Sequence, residues 1–197
     1  MTLTAVVLIG IAAILVFWGV GAYNRLVRLR NEIGNAFAQI DVQLKRRHDL
    51  IPNLVEVARK YLAHEAQTLE AVIAARNQAR SAEQSAAASP LNAGALGALA
   101  GAEQLLGGAL GRLFAVAEAY PDLKADQTMR ELSEELSSTE NRIGFARQAY
   151  NDHVLEFNDA AAQFPTLIVA RLFNFSTQSM LESTSSEVER QPVKVAF

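Results

Sequence analysis

The chain has 197 residues, half of them apolar, which is enough for one domain with a sizeable core and too short for a second large one. Cysteine is absent, which excludes disulfides, thiolate metal sites and a cysteine nucleophile. The formal net charge is -3, yet residues 25–60 carry eight basic side chains against four acidic ones, so the remainder is net acidic and shows no basic surface suited to nucleic acid.

Residues 3–22 contain no charged side chain, and twenty residues at about 1.5 Å rise span about 30 Å, the thickness of a bilayer's hydrocarbon core. No basic region precedes the run and it exceeds a signal-peptide core, so it reads as an uncleaved transmembrane anchor. Phe17, Trp18 and Tyr23 gather at its end and Arg25, Arg28 and Arg30 follow. Aromatic rings favour the headgroup layer and basic residues the cytoplasmic side. The expected topology is single-pass in the inner membrane, N-terminus outside, with the C-terminal domain in the cytoplasm.

From Leu26 onward, apolar residues recur at steps of three and four through Ile33, Phe37, Ile40, Leu44, Ile51, Val55, Ala58, Leu62, Leu69 and Ile73. That period predicts a long amphipathic helix. Pro52 has no amide to offer the His48 carbonyl, and Asp49 could cap a new helix with Pro52 in its first turn, but the apolar phase carries across the proline, so a continuous rod bent around residues 47–53 is favoured over two separated helices. Residues 81–111 are rich in Ala, Ser and Gly and include Pro90, which reads as a loop leading into a helix over residues 105–119. A phosphate-binding loop would need a following Lys-Ser or Lys-Thr, which is missing. Residues 120–125 are expected to turn. Met129, Leu132, Leu136, Thr139, Ile143, Ala146, Tyr150, Val154, Phe157, Ala161 and Phe164 then keep a seven-residue repeat, with Thr128 and Glu131 as a capping-box start.

The fold class that follows is all-α: an N-terminal transmembrane helix and then an antiparallel bundle of three to four long helices. The expected division is an anchor over residues 1–23, a helical-bundle domain over 24–175 and a polar flexible tail over 176–197.

Helical bundles often hold metals, but the residues three before His48, His64 and His153 are Lys45, Tyr61 and Tyr150, so the Glu-x-x-His pairs of a di-iron site are missing. Zincin and nucleophile-elbow motifs are missing too, so no catalytic residue, metal ligand or cofactor is predicted. Arg25, Arg28, Arg30, Lys45, Arg46, Arg47 and His48 are candidate contacts for a partner or for anionic lipid. Arg47 falls on the apolar stripe, where an ion pair with a carboxylate such as Glu118 or Glu140 is the plainer expectation. Leu167, Ile168, Leu172, Phe173 and Phe175 belong to an apolar segment that either lies in the membrane interface or plugs the bundle's end, the plug being favoured.

The strings YNRLVRLRNEIGNAFAQIDVQLKRRHDLIPNL (residues 23–54), LFAVAEAYPDL (113–123), ELSSTENRIGFARQAYND (135–152) and FPTLIVARLFNF (164–175) resemble the LemA family of bacterial membrane proteins. Phe37 departs from the tryptophan expected in many members but keeps an aromatic side chain. The resemblance implies a membrane-anchored antiparallel bundle with a cytoplasmic domain, and it brings no catalytic residue or cofactor. The function expected is a non-enzymatic membrane scaffold or adaptor that forms a homo-oligomer and docks an unidentified membrane or cytoplasmic protein. The alternative is a membrane-shaping or lipid-surface-binding protein; a metal-binding bundle or an enzyme ranks below both.

Overall fold

The computed structural model describes residues 3–181, and among them the chain forms six helices: α1 (Leu3–Arg59), α2 (Ala66–Ala88), α3 (Ala93–Ala117), α4 (Pro121–Ala125), α5 (Gln127–Ala162) and α6 (Thr166–Leu172). The expected all-α class is thereby met. The apolar N-terminal run and the first rod of the bundle are one continuous helix, α1, about 85 Å long at 1.5 Å per residue. Its stripe Leu26, Leu29, Ile33, Phe37, Ile40, Leu44, Ile51 and Leu54 is buried, mainly against α5, which runs antiparallel to it.

Pro52 sits inside α1 without interrupting it. The His48 carbonyl, which loses its helical donor to the proline, accepts a hydrogen bond from Arg76 Nε of α2 at 2.9 Å. The chain reverses further on, at residues 60–65. This corrects the expectation of one rod reaching Ile73. Leu62 lies in the turn itself and is buried, which keeps the apolar spacing intact while the backbone turns back.

The Ala-rich stretch is not the predicted loop. α2 continues to Ala88, residues 89–92 form a short link, and Asn92 caps α3 by accepting from the Ala95 amide at 3.0 Å. Alanine's high helix propensity explains the difference. Leu96, Leu99, Ala102, Leu106, Leu110 and Leu113 supply a buried stripe. Four long helices therefore build the bundle, the upper end of the expected range.

Residues 121–125 form the short helix α4, with Pro121 in its first turn. The cap of α5 is Asp126, not Thr128. Its carboxylate accepts from the Met129 amide at 2.9 Å and from the Tyr61 hydroxyl at 3.0 Å, tying the α1–α2 turn to the start of α5. Those bonds hold the Asp126 carboxyl below the ordinary aspartate range, the Met129 amide contributing most.

After α6 the chain runs back along α5. Asn158 accepts from the Gln178 amide at 2.8 Å and donates to its carbonyl at 3.0 Å; Asn151 holds Leu181 in the same way at 2.9 and 3.0 Å. The tail expected from residue 176 is thus strapped to the bundle as far as Leu181, and its remainder lies outside the described residues. The bundle contains two apolar clusters. One holds Leu26 to Leu44, Tyr150 to Ala161, Val169, Ala170 and Leu181. The other holds Ile51 to Leu62, then Leu69, Val72 and Ala79 of α2, the second half of α3 and the start of α5.

Candidate functional site

Between the two clusters lies a charged layer. Arg47 and His48 occupy the buried face of α1, 8% and 1% exposed, in contact with Glu83 of α2 and Glu103 of α3. Arg47 Nη1 donates to Glu103 Oε2 at 3.0 Å and lies 2.8 Å from Glu140 Oε2 of α5. His48 Nε2 is 2.8 Å from Glu103 Oε1, while its Nδ1 is 3.6 Å from Glu83 Oε2. One carboxylate, Glu103, therefore bridges the two consecutive side chains.

Glu83 is buried, and burial pushes its carboxyl above the ordinary glutamate range; the adjoining Asp41 carboxylate pushes it the same way, against Lys45 and His48. A cavity of about 350 Å³ opens beside the layer, lined by Arg47, Glu103, Gly107, Gly108, Glu140 and Arg147. Positive and negative side chains are balanced around it. The layer's contacts join α1 to α3 through Arg47, His48 and Glu103 and α1 to α5 through Arg47 and Glu140, whereas Glu83 Oε1 of α2 and the His48 Nδ1 facing its carboxylate are buried without a hydrogen-bond partner.

The structure divides the candidate contact residues. Arg47 and His48 are inside, facing carboxylates, and Arg47 also lines the cavity. Lys45 pairs with Asp41, and Arg46 Nε donates to Glu135 across to α5 at 2.7 Å. Of the carboxylates expected opposite Arg47, Glu140 is in place, whereas Glu118 pairs with Lys124. Arg25, Arg28 and Arg30 are exposed where α1 enters the bundle, with Arg28 3.8 Å from Glu32.

The C-terminal apolar segment is likewise split. Val169 and Ala170 are buried, Leu167 and Phe175 are half-buried, and Phe173 lies 4.8 Å from Tyr23 between ring centroids. Phe164, Ile168, Leu172 and Phe173 point away from the core, 81, 57, 73 and 54% exposed.

Sequence reasoning missed the roles of Glu83 and Glu103, whose signal was an acid on an otherwise apolar helical face. It also missed a surface group: Glu32, His153 and Glu156 bring three donor atoms within 4.8 Å of one another on the partly exposed α1–α5 surface. Exposed acids cluster in this way without an ion, and no role is assigned to the group.

These features define a class: a helical bundle whose first helix extends into an exposed segment long and apolar enough to cross a membrane. The LemA family profile matches residues 36–197, so the chain belongs to the LemA family. It is 29% identical over 174 residues to Protein LemA of Metamycoplasma hominis, covering 88% of this chain and 74% of that protein. It is also 26% identical over 168 residues to Magnetosome protein MamQ of Magnetospirillum gryphiswaldense and 27% to Magnetosome protein MamQ 2 of Paramagnetospirillum magneticum, in each case over 78% of this chain. The match spans 62% of the length of those two relatives. The family and these relatives fit a membrane-associated helical protein of a non-enzymatic kind.

Proposed function

We propose that the protein is a non-enzymatic scaffold or adaptor, tethered in the bacterial inner membrane by residues 1–23, with its N-terminus outside and its bundle in the cytoplasm. The exposed apolar run of α1 supports the tether, and Arg25, Arg28 and Arg30 just beyond it support the orientation. The charged layer is a register device in this reading, not a reaction centre.

The observation that carries self-association is the outer face of the α1–α5 pair, since α2 and α3 pack elsewhere. Most of the seven-residue stripe of α5, Met129, Leu136, Thr139, Ile143, Tyr150, Val154, Phe157 and Ala161, is buried within the chain, while Ala146 is half-buried and reaches the outer face. The outer face keeps a groove of about 300 Å³ lined by Ala36, Ala146 and Ala149 together with the polar Glu32, Asn35, Gln39 and His153. Phe37 opposite Tyr150 and Arg47 opposite Glu140 set the register that places exposed Val42 and Phe145 at the same height. A groove of alanines and polar side chains on a helix pair that also leaves apolar side chains uncovered suits a helix of a second copy.

Light scattering coupled to size exclusion on the full-length protein in detergent tests this. A discrete oligomer that Val42→Asp with Phe145→Asp dissociates supports self-association through this face. A monodisperse monomer sinks it and leaves an adaptor whose partner must be sought by crosslinking.

A further inference from the structure

We infer that α6 is a membrane-interface element: Phe164, Ile168, Leu172 and Phe173 seat in the headgroup and acyl-chain boundary beside the point where α1 leaves the bilayer. The inference rests on the proposal that α1 crosses the membrane.

α6 is apolar nearly all round. Its inner face, Val169 and Ala170, packs in the same cluster as Ala22 and Leu26 at the end of the bundle nearest the apolar run. Ile168 and Leu172, spaced by four, lie on the other face, and together with Phe164 in the link before α6 and Phe173 just after it they are left largely uncovered by the chain. A water-facing helix would carry polar residues there.

What covers this face follows from its neighbour. Tyr23 closes the uncharged run of α1, and its ring lies 4.8 Å from that of Phe173 and 5.6 Å from that of Phe175. If Tyr23 marks the headgroup layer, Phe173 is at the same depth, because the two rings touch. Arg25 follows Tyr23 by two residues, about 3 Å along the axis, and Arg171 is exposed on α6, so cations border the apolar patch as anionic headgroups require. The patch is thus continuous with the span: the bilayer that takes Phe17 and Trp18 extends directly onto α6. A second contact point fixes the bundle's tilt on the membrane, which one spanning helix alone leaves free to swing.

The absence of native cysteine gives a direct test. Single variants Ile168→Cys, Leu172→Cys, Leu15→Cys and Leu105→Cys of the full-length chain, the last on the exposed side of α3 away from the α1–α5 outer face, are spin-labelled and reconstituted in phosphatidylcholine–phosphatidylglycerol liposomes. Collision with oxygen and with a water-soluble nickel chelate is then read for each. Labels at 168 and 172 are expected to be oxygen-accessible and several-fold less accessible to nickel than the label at 105, at a depth of about 5–10 Å, shallower than the label at 15. Adding Phe164→Asp and Phe173→Asp to the 168 variant should restore nickel access. Nickel access at 168 and 172 equal to that at 105, with 15 still shielded, overturns the inference while sparing the span. Shielding from both reagents also overturns it, because that is the signature of a second copy on the patch. Nickel access at 15 overturns the span reading itself.

Discussion

At the residue scale the charged layer is a matter of unequal partners. Glu103 serves both Arg47 and His48, so its removal leaves two buried groups short of an acceptor, with Glu140 able to hold only the arginine. Glu103→Ala should destabilise the bundle by about 3–5 kcal/mol, and Glu103→Gln, which keeps one acceptor, by about 1–3 kcal/mol. Urea titration of the full-length protein in detergent measures both; equal losses would mean that the charge, and not the acceptor, matters. Glu83 behaves in the opposite sense. Its folded-state carboxyl titrates above its ordinary range, so the native state binds that proton more tightly than the unfolded chain does. The associated stability is full below the ordinary glutamate value and is lost as pH rises through the elevated one. Glu83→Gln, a mimic of the protonated acid, should therefore raise Tm relative to the parent at pH 8, with the difference vanishing towards pH 4. A Tm difference that widens on acidification would reverse the sign and disprove the assignment.

At the element scale, Pro52 shows how a helix keeps a proline. The proline removes a donor from the His48 carbonyl and Arg76 of α2 replaces it, so the cost of the break is met by a tertiary contact. Arg76→Met should cost about 1–3 kcal/mol in the parent and distinctly less in a Pro52→Ala background, where the backbone amide returns. A double-mutant cycle on urea midpoints reads this coupling, and a coupling of zero rejects it. The α1 continuity across Pro52 was legible because the apolar phase does not slip there. The reversal at residues 60–65 was not legible, since no Gly or Pro marks it and Leu62 keeps the phase while the direction changes. The α2–α3 hairpin was hidden for another reason: small residues resemble a loop in composition, and only Leu96, Leu99, Leu106 and Leu113 at helical steps betray the buried face. The glycines of α3 carry no such information. A Cβ at Gly101 or Gly111 meets nothing within 4 Å, so Gly101→Ala and Gly111→Ala should each stabilise by about 0.5–1 kcal/mol, visible as higher Tm values. Of the candidate site, Arg47's carboxylate partner was foreseeable from its place on the stripe, whereas Glu83 and Glu103 depend on a hairpin that the composition concealed.

At the scale of the whole molecule, the half of the bundle nearest the apolar run is built differently from the far half. The far cluster is enclosed by α1, α2, α3 and α5, but the α2–α3 hairpin stops near the height of Tyr150, whose hydroxyl lies 3.3 Å from the Pro90 carbonyl oxygen in the link. Beyond it, α6 and the strap ending at Leu181 complete the core. A two-turn helix and an extended segment held by two asparagines have fewer cooperative backbone bonds than two full helices, so this closure should open at lower free energy than the rest. Burial also pushes the Tyr150 phenol up to about 12, in keeping with a dry site beneath the strap. Leu181→Asp, which forces a charge into the position between Leu99 and Ile143, should release the strap. Hydrogen exchange of the reconstituted protein should then accelerate over residues 166–181, while amides around Ile51–Val57 and Met129–Leu136 keep their parental protection. Uniform acceleration across α1 and α5 would show instead that the charged layer transmits disorder between the clusters, and that both halves open as one unit.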